Sequence, residues 1–265
     1  MDPASVLIPT LCVGGVGLAS SVALAIADKF LSVPVDPRVQ KVADRLPGAN
    51  CGGCGFAGCA DYANAIVTRG AEVNLCAPGG SACAEAIEVI MGLAAGAAKE
   101  KKVALVLCCG DEAGAGRRSQ YNGIAECGAA HATAGGDKGC TYGCLGYASC
   151  ARACPVGAIH IVKGIARVNK AACISCGKCV NTCPRKLIKL VPASAGIHVL
   201  CSSKEIGPGV RKVCKLGCVG CQLCAKAATG NAIVMDGGLA VVDYTKPLKE
   251  QEIVNNCPAH CIRRA

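Results

Sequence analysis

The sequence predicts an α+β fold made of several small cysteine-rich modules behind one apolar helix. Three observations predict it. Cysteine occurs 24 times in 265 residues, much of it in C-x2-C pairs, a spacing that suits metal rather than disulfides. Aromatics make up only 3 % of the chain, with no Trp. No large aromatic-packed core is expected, so the modules need staples such as metal clusters. Paired short apolar runs, Ala158-Ile-His-Ile-Val with Ile165-Ala-Arg-Val and Ala232-Ile-Val with Leu239-Ala-Val-Val, read as two β-hairpins.

Residues 4–27 carry no charged side chain. At about 1.5 Å per residue, a helix of that length spans the roughly 30 Å hydrocarbon core. A signal peptide would want a basic leader, but Asp2 is the only early charge. Residues 1–28 are therefore read as an uncleaved anchor. Lys29, Arg38, Lys41 and Arg45 follow it, which places the remainder on the cytoplasmic side of a single-pass inner-membrane protein. That compartment keeps thiols reduced.

Residues 29–100 form a second unit. A short helix from Asp36 stops at Pro47-Gly48. Then come Cys51, Cys54, Cys59 and Cys76, spaced C-x2-C-x4-C-x16-C. Glycines between the first three allow the turns that converge thiolates. Four thiolates also suit zinc, but the runs downstream favour a [4Fe–4S] cluster. Residues 60–70 and 84–102 read as helical, and Lys102 opens a strand. Residues 101–139 are read as a linking segment of loops and short helices that carries extra cysteines.

The decisive run is Cys173, Cys176, Cys179 and Cys183-Pro184, spaced C-x2-C-x2-C-x3-C-P. That is the bacterial ferredoxin spacing, whose fourth cysteine serves the other cluster. Its partner run is Cys140, Cys144, Cys150 and Cys154-Pro155. Cys154 should then join Cys173, Cys176 and Cys179. Cys183 should join Cys144 and Cys150. Tyr147 stands where the usual third ligand belongs, and Cys140 is the expected substitute. Residues 140–192 are thus a two-cluster, ferredoxin-like (βαβ-type) domain.

Residues 193–265 repeat the pattern. Cys214-Lys-Leu-Gly-Cys218-Val-Gly-Cys221-Gln-Leu-Cys224 echoes Cys140-Thr-Tyr-Gly-Cys144-Leu-Gly-Tyr147-Ala-Ser-Cys150. Cys257-Pro258 matches Cys183-Pro184. The positions matching Cys154, Cys173, Cys176 and Cys179 are Ala228, Pro247, Glu250 and Ile253. One complete ligand set is gone, while Cys218, Cys221, Cys224 and Cys257 remain. Four clusters are expected. Cys12, Cys83, Cys108, Cys109, Cys127, Cys201, Cys214 and Cys261 are left over. Either Cys109, Cys127, Cys201 and Cys214 hold a fifth cluster, or these are inert buried thiols.

Asp36-Pro37-Arg38-Val39 and Leu46-Pro-Gly-Ala-Asn-Cys-Gly-Gly-Cys-Gly-Phe-Ala-Gly-Cys59, between an apolar N-terminus and ferredoxin-like modules, resemble the B subunit of the Rnf electron-transport complex in its long multi-cluster form. The resemblance covers nearly the whole chain. It implies a membrane-bound ferredoxin:NAD oxidoreductase, a translocase that moves sodium or protons. The chain would be its electron-relay subunit, with no catalytic site of its own, taking electrons from soluble ferredoxin. NAD and flavin belong to other subunits in that family, which fits the absence here of a G-x-G-x-x-G after a strand. A related subunit feeding another membrane complex is the alternative, and a colourless zinc-stapled scaffold is the remote one. The formal charge of +10 comes without an Arg-rich tract or stacking aromatics, so nucleic acid is not an expected partner. Lys170, Lys178, Arg185, Lys186 and Lys189 surround the ferredoxin run and are candidates for meeting an acidic donor.

Overall fold

The computed structural model describes residues 3–31, 36–93, 100–248 and 251–264. Glu250 and the side chain of Cys12 lie outside them. Helix α1 (Pro3–Leu31) covers the uncharged N-terminal stretch, although many of its side chains lie outside the described set. Among the described residues, no helix is long and apolar enough to cross a membrane.

Three helices build the first compact unit. In α2 (Pro37–Arg45), Pro37 opens the helix and the Asp36 carboxylate accepts the Arg38 N–H at 2.8 Å, a capping arrangement that satisfies an orphan donor. Helices α3 (Cys59–Arg69) and α4 (Gly80–Met91) each end on a left-handed glycine, Gly70 and Gly92. Their apolar faces meet α2 around Val42, Tyr62, Ile66 and Ile87, all essentially buried.

The rest is built from short antiparallel ribbons around one continuous core. Strand β1 (Lys102–Val106) precedes α5 (Cys127–Ala132) and α6 (Ser149–Arg152). Strands β2 (Ile159–Val162) and β3 (Ile165–Val168) form the first expected hairpin. Its turn residues, Lys163 and Gly164, both have positive φ, the backbone a two-residue hairpin demands. After α7 (Lys178–Thr182), β4 (Ile188–Pro192) returns to pair with β1 in the register Val106↔Ile188.

The second unit follows the same path. It runs through β5 (Ile197–Val199), α8 (Pro208–Val213), α9 (Leu223–Ala227), the hairpin β6 (Ile233–Asp236) and β7 (Leu239–Val242), α10 (Gln251–Asn255) and β8 (Ile262–Arg264). Strand β8 pairs with β5.

Two expectations need correction. Every described sheet is a two-stranded antiparallel ribbon, so no βαβ crossover forms. The cysteine loops joining the strands hold only helices of four to six residues among the described residues, too little for a parallel return. Residues 101–139 are also not a separate linker. Strand β1 is an outer strand of the first ferredoxin-like unit, and the carbonyl of Leu187 accepts the Leu107 N–H at 2.8 Å.

Candidate metal centres

In the N-terminal unit, Cys51 and Cys54 lie on a loop that turns at Gly52 and Gly55, both at positive φ. Cys59 opens α3, and its N–H donates to the Asn50 side chain at 2.9 Å. Cys76 is remote in sequence and is brought back by Tyr62. The Tyr62 hydroxyl donates to the Glu72 carbonyl at 2.6 Å and accepts the Leu75 N–H at 3.1 Å. Burial pushes this phenol up to about 12, so it stays neutral and can act as both donor and acceptor. Cys54 and Cys59 both lie near enough to Cys76 to add to the rise that burial gives its thiol, up to about 11. Cys83 packs beside Cys76, but its thiol donates to the Arg45 carbonyl at 3.3 Å, in the helical core.

Four further cysteine groups each ring a small cavity of ≈ 20 Å³. Cys154, Cys173, Cys176 and Cys179 line one. Cys218, Cys221, Cys224 and Cys257 line another. These are the expected groupings. Among the described residues, no three His, Cys, Asp or Glu side chains could hold a single metal ion.

The third cavity differs from expectation. Cys144, Cys150 and Cys183 line it, and the fourth cysteine is Cys127, not Cys140. The cause is local. The Cys127 N–H at the start of α5 donates to Ser149 Oγ at 2.8 Å, which seats Cys127 beside Cys150. Cys140 is held elsewhere: the Arg185 guanidinium binds the carbonyls of Cys140 (3.0 Å), Gly143 and Gly135. Tyr147 turns away from the cavity and donates to Asp137 Oδ2 at 2.8 Å. Burial would raise Asp137, but hydrogen bonds from Tyr147 and Arg117 hold it below the usual carboxylate value.

The fourth cavity holds the displaced Cys140 together with Cys108, Cys109, Cys201 and Cys214. Of the expected fifth set, Cys109, Cys201 and Cys214 line this cavity, while Cys127 lines the third. Cys261 stands where the first unit has Leu187, and its sulfur lies 3.6 Å from that of Cys257.

The sulfurs are prepared for negative charge. Cys154 Sγ accepts the Ala158 N–H at 3.3 Å, Cys183 Sγ accepts that of Leu187 at 3.4 Å, and Cys173 Sγ accepts that of Ala104 on β1 at 3.4 Å. Such donors stabilise thiolate ligands and tune cluster potential. Burial pushes the free thiols of Cys150 up to about 12 and of Cys179 and Cys224 up to about 11. Metal binding must therefore displace protons.

The candidate docking lysines divide. Lys178, Lys186 and Lys189 are exposed. Arg185 is spent on internal carbonyls, and Lys170 faces His198, with Nζ and Nε2 3.3 Å apart.

Residues 46–78 match the FeS family model, described as an Fe-S cluster, and residues 136–184 match the 4Fe-4S dicluster domain. Over 259 residues the chain is 42 % identical to the B subunit of the Na(+)-translocating ferredoxin:NAD(+) oxidoreductase complex of Acetobacterium woodii, covering 97 % of this chain and 78 % of that one. It is 42 % identical to the B subunit of the ion-translocating oxidoreductase complex of Methanosarcina acetivorans, over 97 % and 98 %. It is 40 % identical to the B subunit of the proton-translocating ferredoxin:NAD(+) oxidoreductase complex of Clostridium ljungdahlii, over 94 % and 88 %.

Proposed function

The chain belongs to the family of B subunits of ion-translocating ferredoxin:NAD oxidoreductase complexes, the Rnf complexes, and from that premise we propose how it carries electrons within one. It is an electron-transfer subunit. The observation that carries the reading is the set of cavities ringed by four cysteines, several with backbone N–H groups aimed at sulfur. The donor set fits [4Fe–4S] clusters: all ligands are thiols, as such cubes require. Cys51, Cys54, Cys59 and Cys76 would hold one. Cys127, Cys144, Cys150 and Cys183 would hold a second. Cys154, Cys173, Cys176 and Cys179 would hold a third, and Cys218, Cys221, Cys224 and Cys257 a fourth. When bound, the clusters supply one-electron chemistry. The protein positions them, excludes water and sets their potentials through burial and N–H···S bonds.

Soluble reduced ferredoxin is the proposed donor, and other subunits of the complex receive the electrons. Helix α1 is the proposed membrane anchor, with the modules on the cytoplasmic side. Its exposed Leu11, Val13, Val16, Leu18 and Leu24 support that role. Retention of the chain in membranes after an alkaline wash checks it, and release into the supernatant would remove it.

Lys178, Lys186 and Lys189 offer the exposed positive face for an acidic donor. Reversing all three to Glu should slow reduction by ferredoxin several-fold at low salt, with the difference fading at high salt. Stopped-flow bleaching of the cluster absorbance reads this. An unchanged rate at low salt would remove this docking face. A chain that carries zinc and no iron would remove the relay reading itself.

A further inference from the structure

The fourth cavity lies where the two ferredoxin-like units meet, and its cysteines are related by the repeat. The Leu107 N–H donates to the Leu187 carbonyl, and the Leu200 N–H donates to that of Cys261. This pairs Leu107 with Leu200 and Cys108 with Cys201. The next bonds repeat as well. The Cys144 N–H points at Cys108 Sγ, 3.4 Å away, and the Cys218 N–H points at Cys201 Sγ, 3.3 Å away. Cys140 and Cys214 occupy matching places four residues before Cys144 and Cys218. Each unit thus contributes the same two thiols to one shared space.

We propose that Cys108, Cys140, Cys201 and Cys214 form a fifth four-thiolate site, holding a [4Fe–4S] cluster shared equally between the two units. Cys109 is surplus, because its thiol donates to the Leu216 carbonyl at 3.4 Å and it has no counterpart beside Cys201, where Ser202 stands. Two further features belong to the site. The Lys138 ammonium lines the cavity, is only 5 % exposed and donates to the Gly110 carbonyl at 2.6 Å. A buried cation needs a nearby anion, and a set of thiolates is one. Gly110 leaves room for sulfur: a β-carbon there would come 2.9 Å from Cys214 Sγ.

The position explains why the site exists. Gly53, in the first cysteine loop, approaches Cys176 so closely that a β-carbon on it would sit 3.0 Å from the Cys176 carbonyl oxygen. Cys176 belongs to the Cys154 group. That group and the Cys127 group share α6, which carries Cys150 and leads into Cys154, and α7, which carries Cys179 and leads into Cys183. The Cys144 N–H links the Cys127 group to Cys108, and the Cys218 N–H links Cys201 to the last group. Contacts thus run from each site to the next, with the shared site joining the two units. The inference rests on the electron-relay reading.

The test is iron and acid-labile sulfide per full-length chain, prepared without oxygen in detergent and loaded with iron and sulfide. Wild type should bind about twenty irons, four per cube. Cys201→Ala and Cys108→Ala should each bind about sixteen, while Cys109→Ser stays near twenty. The Cys176→Ala control should lose four irons from a different site, with a different signal missing from the electron paramagnetic resonance spectrum of the reduced protein. Sixteen irons in wild type, unchanged by Cys201→Ala, would overturn the fifth site and leave the relay standing. So would sixteen irons plus one zinc. Twenty irons retained by both alanine variants would overturn this ligand set. A wild-type chain with no iron would overturn the relay reading instead. Gly110→Ala guards against misfolding in the cysteine variants. It keeps every thiol and should lose the same four irons, and full retention would count against the site.

Discussion

The two ferredoxin-like units trace the same path with different interiors. The first surrounds two cysteine-ringed cavities of its own, at Cys154 and at Cys127. The second surrounds one, at Cys218. Where the first unit has Cys154 and Cys179, the second has Ala228 and Ile253, 8 % and 0 % exposed. Pro247, opposite Cys173, sits at the surface. Ribbon pairing survives the exchange, since β5–β8 answers β1–β4 and β6–β7 answers β2–β3. On the proposed reading, a small domain with little aromatic bulk uses a metal cluster as part of its core, and where ligands are missing a branched side chain takes their place.

This contrast breaks cleanly under mutation. Removing the metal is the largest perturbation. Cys179→Ala should cost four irons and leave β2–β3 exchanging its amide hydrogens orders of magnitude faster, because ligand binding is folding energy in such units. Hydrogen exchange on the matching ribbon β6–β7 should change little. Equal loss in both ribbons would mean the two interiors are one cooperative unit.

Next comes Ile253→Ala, which empties a fully buried site and should destabilise the second unit by about 2–5 kcal/mol. Iron content should hold. Loss of iron would show that this side chain supports the neighbouring cluster and does not merely fill space.

The smallest effect sits between the units. His198 is wholly buried. Its Nε2 faces the Lys170 ammonium at 3.3 Å, and its Nδ1 lies 3.0 Å from the Tyr244 hydroxyl. Lys170 can only donate, so Nδ1 carries the ring proton and donates to Tyr244. Burial, with Lys170 adding its charge, holds the imidazole down to about 4 from 6.5. The unfolded chain therefore takes up this proton first as pH falls. Stability from His198 is complete above about pH 6.5 and falls toward pH 4, by at most about 3 kcal/mol. Thermal midpoints at pH 7 and pH 5 should differ less in His198→Gln than in wild type. An equal difference would remove this group from the pH response.

Much of the site was legible in the chain. The C-x2-C-x2-C run, the proposed crossing of Cys154 and Cys183 and the missing set at Ala228 and Ile253 are read from spacing, because three thiols in one short loop need only local turns. The two hairpins were legible for the same reason, since Lys163-Gly164 and Gly237-Gly238 are turn residues between apolar runs. Cys127 carried no such signal. It sits in a Gly- and Ala-rich stretch, and long-range bonds, from its N–H to Ser149 and from Arg152 to the Ala125 carbonyl, bring it to Cys150. Cys108 does carry a signal in the repeat: Val106-Leu-Cys108 aligns with Val199-Leu-Cys201, which selects it over Cys109.

By itself, then, the sequence determined the kind of chemistry, the local ligand loops and the repeat, because thiol spacing along a turn is a property of a few consecutive residues. Only the tertiary structure decided which distant thiol completes each set. The Cys144 N–H meets Cys108 and the Cys218 N–H meets Cys201, and the cavity between the units gathers these two with Cys140 and Cys214. That choice depends on strand register and on the packing of two units against each other, which no local spacing encodes.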